Sequence, residues 1–183
     1  MKIFIDPGHG GWDNGAQNLA YGLRESMLNL DMALILRDIL QRRGHTVRMS
    51  RTTDVYVGLA ERAAMANQWG ADYFVSIHNN ANDNPAANGT ETLYHPNSTR
   101  GRALAAEVQR QALRQLGLAD RGIIPRPNLA VLRLTNMPAI MTEFAFISNP
   151  REATLLTRAD FRAKAAQAVA DGLTQYMREQ GQV

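Results

Sequence analysis

The 183-residue chain is 45% hydrophobic and 20% charged. A chain of this size buries roughly 70% of its unfolded surface in one core, so a single domain over 1–183 is expected. The absence of cysteine excludes disulfides and thiolate metal sites and leaves His, Asp and Glu as metal ligands, while a formal charge of +3 carried by scattered arginines tolerates a polyanionic partner but predicts no nucleic-acid binding.

Residues 2 to 6 read as a buried strand that runs without a spacer into Asp6-Pro7-Gly8-His9-Gly10-Gly11, the start of a glycine-rich loop reaching about residue 22. Asp6 cuts the apolar stretch Ile3-Phe4-Ile5 and no cleavage site follows, so no secretory signal is read here. No segment approaches the roughly 20 apolar residues of a membrane span, and no membrane insertion is expected. The chain reads as a product made in the cytoplasm, or as a domain of a longer precursor. Glu25-Ser26 opens a helical pattern with Leu28, Met32, Ile35, Leu36 and Ile39 in phase, stopped by Gly44. His45 to Ser50 is a second strand, Leu59 to Trp69 a second helix closed by Gly70, and Asp72 to Ile77 a third strand. Strand and helix in alternation predict a parallel α/β sheet.

Ala81 to Asn88 is a polar loop, Gly89 to His95 a fourth strand, and Thr99 to Leu116 an amphipathic helix. Leu129 to Leu134 and Ala139 to Phe144 read as the fifth and sixth strands, followed by a short helix after Pro150 and a long one from about Arg158 to Glu179. The predicted fold is a three-layer α/β/α sandwich around a mostly parallel, mixed six-stranded sheet. The sheet is mixed because the fourth strand follows the third too soon for a helical crossover.

Ligands of open parallel sheets bind beyond the carboxyl ends of the strands. His9, His78 and Glu143 all fall there. Glu143 lies in the apolar run Ala139 to Ile147, where a carboxylate is costly to bury without a cation, a hydrogen bond or a proton. The glycines beside His9 match neither GxxxxGK[ST] nor GxGxxG, and they suit a backbone that bends close to an ion or substrate better than a phosphate cradle. Catalytic zinc commonly takes two histidines and a carboxylate. Glu25, where the loop enters the first helix, and Asp13 are both placed to complete that set, and spacing does not decide between them.

The blocks IDPGHGGWDNGA (5–16), YGLRES, SRTTDVYVGLAERAAMAN (50–67), DYFVSIHNNAND and MPAIMTEFAFISN (137–149) together resemble, in order, the type-3 family of zinc-dependent N-acetylmuramoyl-L-alanine amidases. That resemblance implies hydrolysis of bacterial peptidoglycan, one zinc ion held by His9, Glu25 and His78, and Glu143 as catalytic carboxylate. Asn80 and Arg133 are taken as substrate contacts, Trp12 as a groove-lining residue, and Asp6 and Asp13 as hydrogen-bonding supports of the loop. Asn79 and Ala145 depart from the family pattern and bear on substrate fit. No separate wall-binding domain is expected, and the short interval between His78 and Glu143 predicts a site that works without an activator protein. A zinc peptidase cutting within the stem and a non-catalytic peptidoglycan-binding module are the alternatives; phage lysis or bacterial autolysis is the expected setting, with action on the wall after release or export.

Overall fold

A computed structural model describes residues 1–182 of the protein. The main sheet is built from β1 (Lys2–Pro7), β4 (Thr46–Met49), β5 (Tyr73–Asn80), β6 (Thr90–Tyr94), β7 (Asp120–Pro125) and β8 (Ala139–Phe146). Their order is β4-β1-β5-β8-β6-β7, parallel at every junction except the antiparallel pairing of β6 with β8. Ile3, Phe4 and Ile5 are all buried, as a central strand covered on both faces requires.

One face is covered by three long helices: α1 (Glu25–Arg42), α3 (Thr99–Leu116) and α6 (Ala159–Glu179). Their Met32, Leu36, Leu104, Val108, Val169 and Leu173 pack with Ile3, Ile5, Val75, Ile77 and Ile140 of the sheet. α5 (Pro150–Leu156), capped by the Asn149 side chain, leads from β8 into α6. The opposite face has a thinner cover, α2 (Leu59–Trp69) and α4 (Ala130–Arg133), whose Ala66, Val131 and Leu132 pack on Phe4, Phe74, Leu93 and Met141. Side chains alternate along a strand, so His78 shares a face with Phe74 and Ser76, and Glu143 with Ala139 and Met141. Both therefore emerge on the thinly covered side, beyond the reach of its helices.

Two assignments made from sequence are corrected. Leu129 to Leu134 is not a strand: Val131 and Leu132 are buried side by side, and bonds from Arg133 N to Leu129 O (2.9 Å) and Leu134 N to Ala130 O (2.9 Å) close the short helix α4. The fifth strand of the sheet is instead β7, where Asp120, Gly122 and Pro125 resemble turn residues. At the sheet edge such residues are tolerated because no second neighbour needs their backbone donors. The loop after β1 also holds a small hairpin, β2 (Gln17–Asn18) and β3 (Leu23–Arg24), around a 3-10 turn at Leu19–Tyr21. Among the described residues no helix is long and apolar enough to cross a membrane.

Candidate metal centre

His9 leaves the tip of β1 with φ +61, the one positive value outside glycine among the described residues. Such a conformation persists only when its surroundings over-determine it. Two buried arginines do so. Arg51 donates to the carbonyls of Pro7 (3.1 Å), Gly8 (2.9 Å) and Ser26 (2.8 Å), and Arg62 to those of Pro7 (2.7 Å) and His9 (2.9 Å) and to Asp6 Oδ1 (2.8 Å). Asp6 in turn accepts from Ser50 (2.6 Å) and Ser76 (2.8 Å) hydroxyls. The glycines serve close approach: a Cβ on Gly8 would lie 2.2 Å from the His78 ring, and one on Gly15 would lie 2.6 Å from both Glu25 Oε2 and His9 Cδ2.

Glu25 is the first residue of α1, where the helix dipole favours a carboxylate. Its Oε2 lies 3.2 Å from His9 Nε2 and its Oε1 lies 3.0 Å from His78 Nδ1. Further bonds come from Ala16 N to Oε2 (2.9 Å) and from Asn29 Nδ2 to Oε1 (3.3 Å). His9 Nδ1 is held by Asp13 Oδ2 at 2.9 Å, which leaves Nε2 directed to the cluster. The candidate ligand atoms of His9, Glu25 and His78 all lie within 4.8 Å of one another. Around one tetrahedral zinc with bonds of about 2.0–2.1 Å, neighbouring ligands are about 3.3 Å apart, so the donor atoms present fit such an ion. Burial alone would depress the His9 imidazole, but Glu25 and Asp13 outweigh it and raise its pKa to about 9. Glu25, despite burial, is held far below the usual carboxylate range by its bonds to His78 and His9. A carboxylate between two imidazoles is an arrangement that can hold a cation.

Glu143 is the register partner of His78 on the neighbouring strand, and Glu91 of β6 is the register partner of Glu143. The three side chains therefore form a row across β5, β8 and β6. Glu143 Oε2 is buried without a hydrogen-bond partner among the described residues. Burial, with the charges of Glu25 and Glu91 adding and Arg126 opposing, pushes its pKa well above the usual carboxylate range. Glu91 is occupied otherwise: Arg121 Nε donates to its Oε2 (2.8 Å) and Asn80 Nδ2 to its Oε1 (3.2 Å).

The chain as a whole has known relatives. Residues 3–175 match the family described as N-acetylmuramoyl-L-alanine amidase. The chain belongs to this amidase family. It is 39% identical over 178 residues to the N-acetylmuramoyl-L-alanine amidase LytC of Bacillus subtilis (strain 168), covering 96% of this chain but 35% of LytC. The chain thus spans about a third of that relative. Among solved structures, the N-acetylmuramoyl-L-alanine amidase of Clostridium difficile 630 superposes with TM-score 0.94 at 38% identity, covering 98% of both chains. The CwlD amidase of Clostridioides difficile, solved in complex with the GerS lipoprotein, superposes with TM-score 0.93 at 28% identity, covering 97% of this chain and 98% of that one.

Against this amidase framework, the structure brings His9, Glu25, His78 and Glu143 together, and it gives Asp13 the task of orienting His9. Arg133 lies apart from this group: it sits on α4 at a separate cavity with His95, Ser98 and Ala139, at the opposite end of β8 from Glu143. Asn80 lies beside the row, but its amide is engaged at both ends, by Glu91 and by Ala81 N. Asn79 and Ala145 do not face the row either. Asn79 turns to Asn29 of α1 (3.1 Å) and Ala145 is buried in the core of the long-helix face. The sequence reading did not single out Arg51, Arg62, Asn29 or Glu91. The two arginines lie in the 50–67 block of the resemblance, but only their carbonyl bonds reveal them as loop clamps.

Proposed function

We propose that this chain is a zinc-dependent N-acetylmuramoyl-L-alanine amidase, hydrolysing the amide between the lactyl group of N-acetylmuramic acid and the first L-alanine of the stem peptide. The observation that carries the reading is the row itself: two imidazoles and a carboxylate converge, and a buried carboxyl oxygen without a partner stands one strand away. His9, Glu25 and His78 would hold the ion. Two nitrogens and one oxygen form a donor set suited to zinc. Bound there, zinc supplies a Lewis acid for the amide carbonyl and lowers the pKa of water toward about 7. Glu143 takes the proton of the attacking water and returns it to the departing alanine nitrogen. A carboxyl whose surroundings raise its pKa is matched to that shuttle, and such assistance is typically worth about 10²–10⁴-fold. Asp13 keeps the His9 ring oriented throughout.

Metal analysis coupled to a peptidoglycan digest tests this. One zinc per chain, loss of activity with chelator, recovery with added zinc, and new alanine amino termini on intact glycan chains are expected. New termini inside the stem would replace the amidase reading by a peptidase, and binding without cleavage by a wall-binding module. Glu143→Gln should keep its zinc and lose activity by about 10²–10⁴-fold, whereas His78→Ala should lose both.

The same reading extends to control and setting. Between His78 and Glu143, α3 lies on the far face and α4 packs beside α2, which supports a site open without an activator. The CwlD amidase was solved in complex with the GerS lipoprotein, and a turnover rate of this chain that rises with an added partner protein would sink that part. The setting we propose is lysis or turnover of the bacterial wall, by a phage or by the bacterium itself. Purified chain added to intact and to permeabilised cells distinguishes access from outside and from within.

A further inference from the structure

One flank of the metal centre carries exposed large apolar side chains: Trp12, 75% exposed, with Val55, Tyr56 and Leu59. Trp12 stacks on Tyr56 with 4.3 Å between ring centroids and 29° between planes. The pair is held from beneath. Gly10 and Asp13 exchange backbone bonds of 2.8 and 3.1 Å across the turn that presents Trp12, and Gly11 N donates to Asp54 Oδ1 (2.9 Å) in the loop that presents Tyr56. A Cβ on Gly10 would lie 2.2 Å from Val55 O, so the two loops touch through backbone. Tyr56 covers one indole face. An aromatic pair fixed in place with its other face in water is an arrangement suited to binding.

We propose that Trp12 and Tyr56 form a platform for an N-acetylhexosamine ring of the glycan strand next to the scissile amide. This rests on the amidase reading above, under which the strand must pass within about one sugar of the metal centre. Trp12 adjoins Asp13, the residue that orients His9. The chemistry of the flank selects sugar over peptide. A neutral pyranose offers a C–H face to an aromatic ring, whereas the stem peptide bears carboxylates that Asp13 and Asp54 on this flank would repel. Away from this flank, the exposed Arg126 is near enough for its charge to oppose the upward shift of Glu143, and an acidic peptide is better received there.

The chain has two tryptophans, so a Trp69→Phe variant leaves Trp12 as the sole indole reporter. In that variant, without metal, the β-1,4-linked tetramer of N-acetylglucosamine should shift the emission to the blue in a saturable manner. The tripeptide L-alanyl-γ-D-glutamyl-L-lysine should not. With zinc-loaded enzyme on polymeric peptidoglycan, Trp12→Ala should raise KM about tenfold at unchanged kcat, and Trp12→Phe should recover most of it. No shift with the tetramer, a shift with the tripeptide, or an unchanged KM would each overturn the platform. A tetramer-induced shift in a protein that cuts no amide would uphold the platform and remove the amidase reading instead.

Discussion

His9, Glu25 and Glu143 are held in states they would not adopt alone, and each state is measurable. In the metal-free protein His9 binds a proton up to about pH 9, and a metal must displace that proton. Apparent zinc affinity should therefore rise about tenfold per pH unit until that range and then level, as read by competition with a chromophoric chelator; a flat profile from pH 6 to 9 would contradict the geometry. Glu143 has the opposite consequence for stability. Its folded pKa lies above the unfolded value, so the folded state keeps a proton the unfolded state has lost, and stability falls as pH rises through that interval. Glu143→Gln should make the metal-free protein more resistant to urea at neutral pH, with the gain gone at about pH 4. The expected inactive variant is thus also the more stable one. Gly8→Ala, which would press a methyl group into the His78 ring, should weaken zinc binding and leave the far end of the sheet undisturbed, as read by hydrogen exchange.

At the scale of elements, the β1 tip, α1 and α2 are tied together by arginines. Arg62 and Asp6 are a buried pair, 2% and 1% exposed at the side chain. Arg62→Met strands the Asp6 charge and should lower unfolding free energy by about 3–5 kcal/mol, with part regained when Asp6→Asn is added. An equal loss in the double variant would show that the carbonyl contacts of Arg62, rather than its charge, hold the loop. These clamps also mark the limit of what could be read beforehand. Strand-end positions identified His9, His78 and Glu143, because a strand's end is legible from periodicity. The choice of Glu25 over Asp13 depends on the turn that closes Gly10 on Asp13, which spacing does not encode. Leu129 to Leu134 and Asp120 to Pro125 were exchanged for a similar reason. A short apolar run does not declare its period, and an edge strand interrupted by glycine and ending in proline looks like a loop.

For the whole molecule, the proposed metal binding would be linked to folding, because its candidate ligands follow β1, open α1 and lie in β5. Free zinc at roughly a thousand times its Kd should add about 4 kcal/mol to unfolding free energy, and chelator should remove it. His78→Ala should abolish that shift, which calorimetry would show.

The position of β8 has a consequence for biosynthesis. The three candidate ligands precede Glu143 in the chain, and Glu143 sits on a strand that inserts between β5 and β6. A growing chain that already gathers His9, Glu25 and His78 still lacks the carboxyl proposed to move the proton. On the proposed reading, hydrolytic competence therefore arrives only with closure of the sheet.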